Sequence, residues 1–147
     1  MNEIDFKNKQ IQIIVNLINA RKFQDALNKA KPLIKKFPQE YIFYNAAGMS
    51  LINLDRYNDA IKILEKAKEL NENNIFVLNN LGLANFYLKN YLLSEQYYER
   101  ILELKPDFLN ALINLSNLKK ELNLNEDALL ILEKALKYHD KEYFLHF

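Results

Sequence analysis

The chain has 147 residues with 20 basic against 19 acidic side chains, and a net charge of +1 excludes a strongly cationic nucleic-acid binder. Zero Cys and two His exclude a disulfide framework, a thiolate metal site and redox chemistry, and no cofactor is expected. With only 2 Gly and 3 Pro, the turn residues that sheets, hairpins and phosphate-cradling loops draw on are nearly absent, so the fold is predicted to be all-α.

The chain opens on Met1-Asn2-Glu3-Ile4-Asp5, an acidic stretch without an apolar leader, which predicts a cytoplasmic protein. Apolar runs such as Ile13-Ile14-Val15 stop far short of the roughly 20 residues a membrane span needs, so no membrane insertion is expected. From residue 7 onward the sequence repeats. Gly48 and Gly82 stand 34 residues apart, and extending that frame divides the chain into segments 7–40, 41–74, 75–108 and 109–142.

In segment 7–40, Ile14 occupies the column of Gly48, Gly82 and Ser116, while Ala26 shares a column with Ala60, Ser94 and Ala128. This segment departs most from the others, with Gln10 for the first aromatic and Ile14 for Gly, so its hairpin is expected to close more loosely. Its local excess of base (Arg21, Lys22, Lys29, Lys31, Lys35, Lys36) lies mainly on a second helix without interleaved aromatics, which reads as a solubility surface and not a nucleic-acid site. Segment 41–74 carries Tyr44, Ala47-Gly48, Leu51, Tyr57, Ala60, Leu64 and Ala67, and its apolar pattern breaks at 53–56. Segment 75–108 carries Leu78, Leu81-Gly82, Tyr91, Ser94, Tyr98, Ile101 and Pro106, with its break at 89–90. Segment 109–142 has Ser116 for Gly, moves the turn aromatic to Leu124 and breaks at 123–125.

Each segment therefore reads as two helices of about 13 residues packed as a hairpin. The small columns mark where the two helices cross, and a side chain longer than a methyl at Gly48 or Ala60 would hold the axes apart. Pro38 and Pro106 share a column at the ends of second helices, with Glu72 and Asp140 in the same place; Asp140 is expected to begin a turn that separates His139 from His146 and so disfavours a metal site. The apolar stretch Tyr143-Phe144-Leu145-His146-Phe147 is then either a cap on the last hairpin or the start of a fifth repeat. No Ser–His–Asp arrangement, glycine-rich loop or HExxH spacing appears, so no enzyme is expected.

The 34-residue period, with its order of aromatic, Leu-Gly, aromatic, Ala, aromatic, Ala and Pro, resembles the tetratricopeptide repeat (TPR) family. Segment 75–108 is the fullest match, and the four segments cover nearly the whole chain. The resemblance implies a right-handed α-solenoid of four TPR helix hairpins that binds a protein partner in its concave groove. On the first helices, the face away from the hairpin seam is apolar again: Ile11, Val15 and Ile18, then Ile42, Met49 and Ile52, then Phe76, Leu83 and Phe86. The fourth first helix is polar there, with Asn110, Asn114, Asn117, Lys120 and Glu121, and only Ile113 apolar.

Apolar side chains left in water call for a cover, either a peptide or helix of a partner, or packing on one another and on Ile4-Asp5-Phe6, or self-association. For a partner, affinity is assigned to Met49, Ile52, Phe76, Leu83 and Phe86, and orientation to the amides of Asn45, Asn79, Asn80, Asn114 and Asn117. Asn80 and Asn114 in one column resemble the asparagine ladder of the O-linked N-acetylglucosamine transferase group, with Ala46 interrupting it. The Lys, Arg and Asn clamp of chaperone-binding relatives is replaced here by Ile11, Val15, Ala46, Phe76 and Asn80, so no carboxylate-clamp partner is expected. A partner-binding scaffold is the favoured reading; the alternative is the accessory repeat region of a larger bacterial glycosyl- or sulfotransferase.

Overall fold

The structure is a computed structural model that describes the backbone of residues 1–145 and the side chains of residues 1–140. It holds α1 (Glu3–Asn19), α2 (Phe23–Lys36), α3 (Tyr41–Asn53), α4 (Tyr57–Leu70), α5 (Ile75–Tyr87), α6 (Tyr91–Leu104), α7 (Leu109–Glu121) and α8 (Asn125–Leu145), with no strand among the described residues. Each helix packs on its neighbour in sequence, and the odd-numbered helices also touch one another in succession, which is the contact pattern of stacked hairpins. No described helix is long and apolar enough to cross a membrane.

Two first helices start on an Asn whose side chain takes up orphan N–H groups: Asn2 accepts from Asp5 N at 2.8 Å, and Asn74 accepts from Phe76 N and Val77 N at 3.1 Å. The four hairpin turns are alike. Arg21, Asp55, Lys89 and Asn123, one period apart, all sit at φ between 58 and 64°, and behind each the next N–H reaches back to close the helix, as Asn90 N does to Asn85 O at 2.9 Å. The left-handed conformation costs a side-chain-bearing residue roughly 1–2 kcal/mol, which glycine escapes while losing more freedom on folding. Lys89→Gly is therefore expected to raise the unfolding free energy by about 0.5–1 kcal/mol in a urea titration, and Asn123→Gly by less, because Asn tolerates this region.

Close approach inside the hairpins is tighter than the sequence suggests. A Cβ at Gly82 would lie 2.5 Å from the Tyr98 ring, and one at Gly48 would overlap the branch of Leu64, so even a methyl does not fit. Serines tie two hairpins across the same seam: Ser94 Oγ donates to Gly82 O at 2.7 Å, and Ser116 Oγ to Ala128 O at 3.1 Å. The first hairpin closes more loosely, as expected: α1 and α2 approach each other at far fewer positions than the two helices of any later hairpin, although Ile14 itself is 2% exposed. Its second helix holds Ala30, fully buried, in the column of Leu64 and Tyr98, so the large and small residues have exchanged helices across this wider seam.

Two expectations about chain breaks need correction. Asp140 begins no turn, because α8 runs through it to Leu145 in a stretch without Pro, Gly or Asn to stop a helix. Residues 143–145 thus continue α8 and do not open a fifth repeat, while His146 and Phe147 lie outside the described residues. Among the prolines, Pro32 lies inside α2; it and Asn28, whose carbonyl it leaves without an intrahelical donor, are both exposed to water.

Burial pushes the Tyr98 phenol up from its ordinary 10, against a smaller opposite effect of the Ser94 hydroxyl. Since the folded chain keeps this proton to a higher pH than the unfolded chain does, its contribution to stability is full below roughly pH 10 and is lost above it. Urea midpoints should therefore drop as pH rises past about 10, and Tyr98→Phe should flatten that drop.

Candidate protein-binding groove

The first helices line one side of the stack, and between α1, α3 and the start of α5 they leave a cavity of about 340 Å³. Ile11, Val15 and Ile18 form the α1 wall, Ile42, Ala46 and Met49 the α3 wall, and Phe76 closes the end; no charged side chain lines it. Within this set Phe76 is 57% exposed, Val15 41% and Met49 37%, so apolar carbon faces water at three walls of one concavity. Phe76 is held upright by an edge-on contact with Phe108, with ring centroids 5.8 Å apart at 84°.

The rim is uncharged and polar. Asn74 Nδ2 donates to Tyr41 Oη at 3.2 Å beside the cavity, and Asn80 Nδ2 donates to Asn45 Oδ1 at 2.9 Å. One repeat further along, Asn114 Nδ2 donates to Asn79 Oδ1 at 3.1 Å. The asparagines are therefore paired rungs between adjacent first helices, and a bound chain would meet only the donors and lone pairs each rung has left over. Asn80, at 8% exposure, is the most enclosed of them.

Of the ten residues read from the sequence as contacts, the structure brings Asn45, Met49 and Phe76 to this cavity. Asn80 joins it through its rung to Asn45, whereas Asn79 and Asn114 pair with each other one repeat farther along, outside the cavity, and Asn117 is an exposed residue farther along α7. Ile52 is a correction: at 4% exposure it belongs to the core, since it turns toward the seam that the next repeat covers. Leu83 is half-buried against the core, and Phe86 packs on Tyr87 and Tyr91 at centroid distances of 5.6 and 5.8 Å, so neither lines the cavity. Tyr41 and Asn74 do line it and were missed; both sit at helix starts, where a reading of helix faces assigns no direction.

The Ile4–Phe6 stretch does not cover the groove. Phe6 packs on Phe37 with centroids 6.2 Å apart and carries Lys36 Nζ 4.3 Å over its ring, while Ile4 stays exposed. On α7 the polar residues Asn110, Asn117, Lys120 and Glu121 are exposed, and beside them so are Leu109 and Ile113. Among the described residues, no three of His, Asp and Glu are grouped to hold a metal ion.

A family model described as "Tetratricopeptide repeat" matches residues 41–74 and 77–108. The human protein "Sperm-associated antigen 1" is 25% identical over 109 residues, 74% of this chain; the chain spans only 12% of that relative's length. Among solved structures, a thermophilic TPR protein of Thermus thermophilus superposes with a TM-score of 0.84 at 18% identity, over 93% of this chain and 76% of that one. The first TPR of Spaghetti (RPAP3), bound to the HSP90 peptide SRMEEVD, superposes with a TM-score of 0.72 at 19% identity, over 78% of this chain and 90% of that one. At these identities the structural likeness speaks for the fold.

Proposed function

We propose that the chain, which matches the tetratricopeptide repeat family at residues 41–74 and 77–108, is a non-catalytic interaction module that holds an apolar, uncharged stretch of a partner protein between α1, α3 and α5. The observation that carries this reading is the uncharged cavity of about 340 Å³ walled by Val15, Ile42, Met49 and Phe76. Covering side chains of this kind is worth roughly 1.5–3 kcal/mol each, an unused driving force in the free protein. The Asn45–Asn80 rung and the Asn74–Tyr41 pair at the rim supply backbone-directed hydrogen bonds that orient a peptide without reading its sequence.

A bound C-terminal carboxylate is not part of this proposal. The neighbour just described is bound to a peptide ending in Glu-Val-Asp. Here the groove positions matched to a clamp are Ile11, Val15, Ala46, Phe76 and Asn80, which offer one amide and no cation. Selection of a random peptide library on the immobilised protein tests the reading: enrichment of uncharged, apolar peptides supports it, provided Val15→Asp abolishes the enrichment. Selection of peptides that share an acidic C-terminus and lose binding on amidation would overturn it.

A further inference from the structure

The last helix presents a second, separate surface. On α8, Leu129, Leu132 and Leu136 follow at spacings of three and four and form one stripe, exposed at 58, 41 and 60%. One period earlier that stripe is Glu95, Tyr98 and Leu102 on α6, and two periods earlier Ile61, Leu64 and Lys68 on α4; all of these are buried or half-buried. Leu64 and Tyr98 meet Gly48 and Gly82 of their own hairpins and Lys68 lies against Tyr97 of α6, and the remaining difference is the first helix of the next repeat. α5 packs on α4 and α7 on α6, whereas α8 packs on α7 and on no other element among the described residues. The stripe is therefore a helix seat of the kind the fold fills three times elsewhere, by α3 on α2, α5 on α4 and α7 on α6, and among the described residues no helix fills it on α8.

Charge says which helix suits it. Glu126, Glu133 and Asp140 recur every seven residues and run as an exposed row beside the leucines, in no ion pair among the described residues. The filled seat on α6 is closed by a cation from the occupant, Lys119 of α7 pairing with Glu95. A second copy fits poorly in either arrangement. Its α1 would bring the exposed Lys9 and Asn16, which stand where the later first helices bury Phe43, Val77 and Leu118, with the exposed Gln12 between them. Its α8, antiparallel on the same stripe, would set two acidic rows side by side.

The geometry points to the α8 leucine stripe as a docking site for an amphipathic helix of a partner protein, one with an apolar stripe flanked by Lys or Arg, seated as α7 is on α6. Two synthetic helical peptides with identical leucine stripes, one flanked by lysines and the other by glutamates, test this in fluorescence anisotropy titrations against the whole chain. The lysine peptide should bind at least tenfold tighter than the glutamate peptide. Leu129→Gln with Leu136→Gln, two exposed positions whose variant can be checked for intact helicity, should weaken it at least tenfold, Glu133→Gln should narrow the preference, and the groove variant Phe76→Asp should bind as before. Equal binding of both peptides, unchanged binding by the leucine variant, or loss in the Phe76 variant would overturn the assignment. So would a concentration-dependent dimer in sedimentation that the leucine variant abolishes, which would make a second copy the occupant.

Discussion

Met49→Asp combined with Phe76→Asp is expected to weaken capture of a groove-selected apolar peptide by at least about 100-fold while leaving helicity unchanged by circular dichroism. Both side chains stand in water in the free protein, so a carboxylate at either position is hydrated and the fold keeps its core. In the complex the same carboxylates would be covered by apolar peptide with no cation in the cavity to pair with. Losing even about 1.5 kcal/mol of apolar contact at each site gives roughly 3 kcal/mol, slightly more than two decades in affinity, before any cost of desolvating charge. Leu83→Asp and Phe86→Asp, which the sequence alone nominates, should behave differently: Phe86 is held among Tyr87 and Tyr91, so its replacement acts first on stability. Ile52→Asp, in the core, should unfold the protein.

Gly48→Ile should destabilise the chain by about 3 kcal/mol, because a branched side chain at that point enters space held by Leu64. Leu64→Ala alone should cost about 2–5 kcal/mol through the cavity it opens. Together the two changes recreate the arrangement the first hairpin already uses, Ile14 on the first helix and Ala30 on the second, both buried. The double variant should accordingly be more stable than the sum of the single losses by at least about 1 kcal/mol, read as a coupling energy from urea midpoints. Strict additivity would mean that seam volume is not what the glycine columns conserve.

The period, the hairpin breaks and the small columns were legible because each depends on one residue type at one place: a buried Gly or Ala at a helix crossing, or a Pro after a helix end. The left-handed turns at Arg21, Asp55, Lys89 and Asn123 were not, since the residue that usually marks this conformation is missing from all four. The exchange of Ile14 with Ala30 was equally hidden, because a column read on one helix does not show its opposite number on the other. Ile52 was misplaced for a geometric reason. A first helix touches its hairpin partner and both flanking first helices, so its free arc is narrow, and a residue near the edge of that arc is covered by the next repeat. The asparagine columns were visible, but their pairing runs across columns, Asn45 to Asn80 and Asn79 to Asn114, and depends on how adjacent helices are offset. At α8 the sequence offered an aspartate in the column of two prolines, and an aspartate does not stop a helix as a proline does.

The groove assignment is tested most directly by methyl NMR on Ile-, Val- and Met-labelled protein titrated with a library-selected apolar peptide. The methyls of Ile11, Val15, Ile42 and Met49 should shift together with one saturation curve, while those of Ile61 and Ile63 on α4, away from the cavity, stay in place. Saturable binding that leaves the four groove methyls unmoved would contradict the account.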